Sequence, residues 1–297
     1  MDNSIFKSGY VGIIGVPNVG KSTLLNKLAG QKVAIISAKP QTTRNKILAI
    51  ATDEDSQVVF VDTPGFHKPK TKLGENMIKS VDETIDDVDL LLVVTDADEN
   101  ISASEQAILD KIDGIPAVLV INKIDTLELP KLLPIIDKYN NTGKFEEIIP
   151  ISAKSGKGVN ELKKIIKQYL EPGPMYYPDD MVTDQSEKQI VAEIIREKAL
   201  RLLNQEIPHG IAVEIIKMKN KGDNMCEISA NIYCEKESHK RIIIGSKGSK
   251  LKEIGMQARA DCEKMLDRQV FLQLWVKVKS DWRNSEQLMK EFGMTDL

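Results

Sequence analysis

Short apolar runs separated by longer helix-patterned stretches set the rhythm of the first half of the chain. Tyr10-Val11-Gly12-Ile13-Ile14, Leu90-Leu91-Leu92-Val93-Val94 and Ala117-Val118-Leu119-Val120-Ile121 are continuous apolar segments, the signature of strands buried on both faces of a parallel sheet. Ile148-Ile149-Pro150-Ile151 adds another short run. Residues 47–52 and 57–61 flank the turn Asp53-Glu54-Asp55-Ser56 and predict a hairpin. Between the first helix and that hairpin, residues 31–44 carry no sustained period, so this segment can order or melt. The pattern predicts an α/β domain, a mostly parallel sheet with helices on both faces.

Three prolines and a glycine between residues 171 and 180 exclude a helix or central strand and mark a domain boundary. The pattern then restarts. Asp184 followed by Glu187 predicts a capping box, opening a helix through Ile190, Ile194, Ile195, Leu202 and Leu203 that stops before Pro208. Residues 210–216 and 225–233 read as strands around the turn 220–224. A short apolar helix ending near Ile244, a longer helix from Ser249, and an alternating strand over 270–279 follow. Leu288, Met289 and Phe292 suggest a short closing helix. The expected organisation is a first domain over 1–170, a Pro-rich linker over 171–182, a smaller α+β domain over 183–283, and a short helix or tail over 284–297.

Composition narrows the class. The 297 residues are 41% hydrophobic, enough for two cores. A formal net charge of −3 excludes a globally basic nucleic-acid coat, so any nucleic-acid contact must come from a local patch. Cys226, Cys234 and Cys262 are an odd set without metal-site spacing and read as reduced, mostly buried thiols. His67, His209 and His239 have no partners at metal or triad spacing. Residues 1–8 are too short and polar for a signal peptide, and no apolar run approaches the roughly 18 residues that span a bilayer. A cytoplasmic protein is expected, with peripheral contact at a membrane surface left open.

The candidate chemistry begins at Gly15-Val16-Pro17-Asn18-Val19-Gly20-Lys21-Ser22-Thr23, between a strand and a helix. A glycine loop at a helix start turns its N–H groups inward on a phosphate chain, where the helix dipole already favours an anion. Lys21 would reach the β- and γ-phosphates, and the Ser22 hydroxyl would sit on Mg²⁺. Asp62-Thr63-Pro64-Gly65 ends the second hairpin strand. Asp62 there suits the Mg²⁺ site, and Gly65 offers an unobstructed N–H to a γ-phosphate. After the apolar run 117–121 comes Asn122-Lys123-Ile124-Asp125. The Asp125 carboxylate can accept from N1–H and N2–H₂ of guanine, a donor pair adenine lacks. Ser152-Ala153-Lys154 is placed to meet guanine O6 through backbone N–H groups.

These residues resemble the translation-factor-type GTPases. Gln41-Thr42-Thr43-Arg44 and Asp62-Thr63-Pro64-Gly65-Phe66 are more narrowly similar to the Era branch, whose second domain is a type II KH module that binds RNA. The resemblance implies GTP and GDP as ligands, slow GTP hydrolysis and a monomer. It also implies a first-switch threonine, Thr43 or else Thr42, that ligates Mg²⁺ only in the triphosphate state. Phe66 stands where many small GTPases carry a water-orienting Gln, so water would be positioned by backbone, by switch residues or by a monovalent cation. Asn18 matches a position that helps coordinate K⁺ in related GTPases.

In the second domain, Lys240, Arg241, Ile244, Gly245, Ser246, Lys247, Gly248, Lys250 and Lys252 lie in a stretch without an acidic residue. Two glycines three apart beside a helix N-terminus match the GXXG loop of KH domains. Lys277 and Lys279 on the last strand would extend the basic track. The family resemblance implies the 3′ region of 16S rRNA and the 30S ribosomal subunit as partners, in subunit maturation, with a peripheral inner-membrane contact also in view. The competing reading is a GTP-timed module whose second domain docks on a protein or membrane surface.

Overall fold

The computed structural model describes residues 5–294 except 38, 40, 99, 113, 204–209 and 223. Pro208 and His209, and the extreme ends of the chain, therefore lie outside the described residues. Close contacts divide the chain into two units: residues 1–34, 43–70 and 74–184, and residues 35–42, 71–73 and 185–297.

The first unit is a mostly parallel sheet. Its strands are β1 (Lys7–Ile14), β2 (Ile47–Thr52), β3 (Ser56–Asp62), β4 (Leu90–Asp96), β5 (Ala117–Asn122) and β6 (Glu147–Pro150), in the spatial order β2-β3-β1-β4-β5-β6. β2 and β3 form the antiparallel hairpin, and β1, β3, β4, β5 and β6 run parallel. The continuous apolar runs divide their side chains between two layers. Leu90, Leu92, Val94, Val118 and Val120 join α1 (Lys21–Ala29) and α5 (Val159–Gln168) on one face. Leu91, Val93, Leu119 and Ile121 join α2 (Lys72–Asp86), α3 (Ala103–Leu109) and α4 (Leu129–Asn140) on the other. A strand covered on both faces cannot alternate with polar residues, which is why these runs read as unbroken. Order along the sheet reverses at β1, and ligands of such sheets bind at the carboxyl ends beside that switch point.

The proline-rich segment packs on this unit. Glu171–Pro172 forms a short strand, β7, antiparallel to β1. Tyr176 stacks on Tyr10, and the Gln57 side chain holds the backbone of Tyr176 and Tyr177.

The second unit runs α6 (Glu187–Leu202), β8 (Ala212–Asn220), β9 (Met225–Cys234), α7 (Glu237–Ile244), α8 (Ser249–Leu266) and β10 (Gln269–Val278), closed by α9 (Glu286–Glu291). Its sheet has the order β10-β9-β8, with β9 and β10 parallel and β8 antiparallel. Val191, Ile195, Ile228, Ile232, Ile254 and Cys262 sit in one apolar core between sheet and helices. The capping box falls two residues later than the sequence pattern predicts. Ser186 is the N-cap and Gln189 the reciprocal N3 partner, so Glu187 occupies the first turn, where the helix dipole favours it. No described helix is long and apolar enough to cross a membrane.

Candidate functional site

Four loops converge at the carboxyl ends of β1, β3, β5 and β6. Gly20 adopts φ +101°, and a Cβ there would approach the Asn122 amide nitrogen to 2.3 Å, so the loop closes in this form only with glycine. Lys21 is buried, and its ammonium donates to the carbonyls of Gly15 (3.0 Å) and Val16 (3.1 Å). Burial pulls its pKa down to about 8, against the opposing pull of the Asp62 charge. An arriving polyphosphate would restore the full charge of this lysine.

Ser22, Thr43 and Asp62 form one cluster. Ser22 Oγ donates to Asp62 Oδ2 at 2.9 Å, Thr43 Oγ1 donates to the same oxygen at 3.2 Å, and the two hydroxyls lie 2.9 Å apart. Burial pushes the Asp62 carboxyl up to about 6, opposed by Lys21 and by the two hydroxyls. Asp62 Oδ1 is buried with no hydrogen-bond partner. An orphaned carboxylate oxygen beside two hydroxyls is an all-oxygen donor set that fits a small hard dication. The structure places Thr43 rather than Thr42 in this cluster: the Thr42 hydroxyl turns to the carbonyls of Lys39 (2.6 Å) and Ser37 (3.4 Å).

The neighbouring loops are built from buried bonds. Thr63 Oγ1 donates to the Ile13 carbonyl at 2.9 Å, and the Phe66 N–H to that of Gly15 at 3.0 Å. Pro64 and Gly65 are buried against the phosphate loop, while Phe66 belongs to the apolar layer and carries no group able to orient water. Asn18 is exposed in left-handed backbone at φ 68°.

Asn122 is the brace of the site. Its amide donates to the Val19 carbonyl at 2.8 Å and accepts from the Ala153 N–H at 2.9 Å, tying the phosphate loop to the loop after β6. Lys123, itself at φ 65°, pairs with Asp96 at 3.2 Å. Asp125 is exposed, its carboxyl held below the usual range chiefly by a hydrogen bond from Ser152. Ser152 and Ala153 are buried and Lys154 is exposed. The arrangement leaves the Asp125 carboxylate ionised and outward, as guanine recognition requires. Two contributors escape the sequence patterns. Asp96 pairs Lys123, and Asn26 accepts from the N–H groups of Val33 and Ala34 and donates to the Ala34 carbonyl. An asparagine inside a helix, where it is a poor former, is the one sequence signal for the latter.

The GXXG segment of the second unit opens a groove of about 390 Å³ lined by Gly248, Leu251, Lys252, Met256, Arg259 and Leu274, with Gly255 and Leu272 completing it. At Gly248 the backbone has φ +80°, and a Cβ would meet nothing within 4 Å, so the loop presents bare backbone to the open side. Lys247, at φ 49°, is exposed, as are Ser246 and Arg241. Lys240 and Gly245 are half-buried, Ile244 packs on the core, and Lys250 pairs with Glu253 at 3.1 Å. Of the basic residues expected to read RNA, Lys252 lines the groove. Lys277 and Lys279 are not brought to it. Side chains alternate along β10, so Leu272 and Leu274 face the groove while Lys277 takes the other face with Phe271, Gln273 and Trp275.

Fold and loops together define a P-loop GTPase joined to a KH domain. Residues 10–123 match the 50S ribosome-binding GTPase family and residues 206–283 the KH domain family. The chain is 53% identical to GTPase Era of Clostridioides difficile (strain 630) over 98% of its length and 100% of the relative's. To GTPase Era of Alkaliphilus oremlandii (strain OhILAs) it is 55% identical over 97% and 99%. The chain belongs to the GTPase Era family. Among solved structures, Era in complex with MgGDPNP and nucleotides 1506–1542 of 16S ribosomal RNA superposes with a TM-score of 0.95 at 42% identity, covering 98% of this chain and 100% of that one. A point variant of Aquifex aeolicus Era bound to GDP·AlF4⁻ gives 0.94 at 42% identity over the same shares.

Proposed function

We propose that this chain hydrolyses GTP as a timer for binding the 3′ region of 16S rRNA, in assembly and maturation of the 30S subunit. The observation that carries the reading is the pairing of a guanine-selective phosphate site with an open GXXG groove, in a chain 42% identical throughout to an Era that holds both MgGDPNP and 16S nucleotides 1506–1542. The proposed division is a GTPase domain to residue 170, a connecting segment to 182, a KH domain to 283 and a tail to 297.

Each residue has a task in this reading. Backbone N–H groups of residues 15–23 and the Lys21 ammonium bind the phosphates, and Asp125, with the loop at 152–154, selects guanine. Ser22, Asp62 and Thr43 would hold Mg²⁺, which when bound neutralises charge on the phosphate oxygens. Thr43 and Gly65 sense the γ-phosphate, so its loss frees both switch segments. Phe66 is apolar, so intrinsic turnover is slow. K⁺ near Asn18 would supply positive charge at the phosphates; replacing KCl by NaCl at equal ionic strength lowers turnover if this is so, and unchanged turnover removes K⁺ from the scheme.

Along the groove, Lys252 and the bare backbone at Gly248 receive phosphates, while Leu251, Met256 and Leu274 offer apolar contact to bases. With a 16S rRNA target the compartment is the cytoplasm, and the acting form is a monomer. The deciding experiment measures binding of a 16S 1506–1542 oligonucleotide to the full chain loaded with GDP or with GDPNP. Tighter binding with GDPNP is expected. Equal, salt-sensitive and sequence-indifferent binding in both states overturns the proposal and leaves docking on a protein or on the cytoplasmic face of the inner membrane as the role of the second unit.

A further inference from the structure

The KH sheet has two faces, and the helices cover one. On the other, Phe271 and Trp275 stand out from β10 with 53% and 46% of their surface exposed. They lie four residues apart on one strand, about 13 Å, separated by the half-buried Gln273. The far end of this face is closed: Phe292, just after α9, stacks on Tyr233 with ring centroids 4.6 Å apart. The rest is open.

The charges on this face are unevenly engaged. Both carboxylates have internal partners, since Glu227 pairs with Lys217 at 2.8 Å and Glu214 accepts from the Tyr233 hydroxyl at 2.7 Å. Lys219 and Lys277 are exposed and make no ion pair among the described residues. The face therefore offers spare cationic charge beside Phe271, Trp275 and the exposed Met225 that shares a depression with Phe271. Rings about 13 Å apart, flanked by lysine and glutamine, suit one base each.

A path joins this face to the GXXG groove. Arg259 lines the groove and also lines a second depression, of about 660 Å³, with Arg268, Met225 and Phe271. Glu263 and Asp267 share that depression. Glu263 is engaged by the Val270 N–H at 3.1 Å and by Arg259 at 3.8 Å. β10 is the edge strand of the sheet, so nothing paired beyond it blocks the turn from one face to the other.

We propose that Phe271 and Trp275 form a second RNA-contact surface, which takes single-stranded RNA leaving the GXXG groove past Arg259 and stacks its bases on the outer face of the sheet. The proposal rests on the RNA reading of the groove, and the test separates the two. Nested fragments of 16S nucleotides 1506–1542, about six and about sixteen nucleotides long, are titrated against the full chain. The six-mer chosen is the one bound most tightly. Trp275→Ala and Phe271→Ala are each expected to weaken the longer fragment by roughly 5- to 100-fold and to leave the shorter one unchanged, with Trp275→Phe retaining most of the affinity. Gly248→Asp, or Lys252→Glu should the first fail to fold, weakens both.

Tryptophan emission gives an independent readout. Trp282 is fully buried with its indole N–H on the Gly210 carbonyl, so the quencher-accessible emission belongs to Trp275. The longer fragment should quench it and the shorter should not. Loss in the groove variants alone, with Trp275 emission untouched at saturation, overturns this proposal and leaves the groove reading standing. Failure of the wild-type chain to bind either fragment overturns both.

Discussion

The phosphate site and the GXXG groove both use glycine-turned backbone at a helix start, yet they are built in opposite ways. Around Lys21 the polar groups are sunk: Lys21, Asp62, Thr63, Asn122 and Ser152 are all buried, and Asn122 cross-links two of the loops. Around Gly248 the polar groups are out, with Lys247 and Lys252 exposed and the groove floor apolar. A closed site with fixed donors discriminates steeply because a wrong ligand leaves buried groups unpaired. An open groove grips a flexible strand through backbone and modest apolar contact, and each position contributes little. The first site sets identity, the second accumulates affinity.

The largest effect should come where the closed site meets its base. Asp125→Asn turns an acceptor into a group that also donates, and preference for guanine over xanthine nucleotides should collapse by roughly 10⁴. Competition between GTP and XTP reads this directly, and retained GTP preference would show that Asp125 does not contact the base.

Asn122→Ala comes next. It removes two buried hydrogen bonds between loops, each worth about 1–3 kcal/mol when one partner is left behind, so GTP affinity should fall on the order of 100-fold. Base preference should survive, because the residue braces loops instead of reading the base. A shift in preference would overturn that role.

Gly248→Asp sets a carboxylate where phosphates approach and adds a side chain at φ +80°. Affinity for the 16S 3′ oligonucleotide should drop about tenfold or more. A drop much steeper than Asn122→Ala causes for GTP would contradict the distributed character of the groove.

The smallest effect tests the core beneath the groove. Cys226, Cys234 and Cys262 are free and buried, and burial raises all three thiols, Cys234 to about 11 and Cys262 to about 12. A raised thiol pKa leaves little thiolate at pH 8. Iodoacetamide should therefore leave the native chain essentially unlabelled there and label all three after denaturation; rapid native labelling at any of them would mean that the core opens.

How much of this could be read in advance differs between the regions. The strands 90–94 and 117–121 were legible because double-sided burial forces unbroken apolar runs, and the nucleotide loops because phosphate binding admits few residue types at fixed spacing. The capping position at Ser186 was not, since Asp184 and Glu187 satisfy the same pattern two residues before the Ser186–Gln189 box that forms. Nor was the direction of Lys277 and Lys279. Alternation along β10 marks Leu272, Leu274 and Val276 as the core-facing side, but not that the groove opens on that side.

Local chemistry along the chain thus determines the unbroken apolar strands, the glycine-rich loop at 15–22 with its Lys21 and Ser22, and the strand-end motifs at 62–65 and 122–125, because each depends on neighbours close in sequence. Tertiary structure alone decides that Asn122 joins loops 103 residues apart at Val19 and 31 apart at Ala153, and that Thr43 rather than Thr42 meets Asp62. It also decides that the groove is floored by Leu272 and Leu274 while Trp275 faces away. Those outcomes turn on which side chains long-range packing brings together, and no window of the sequence contains both partners.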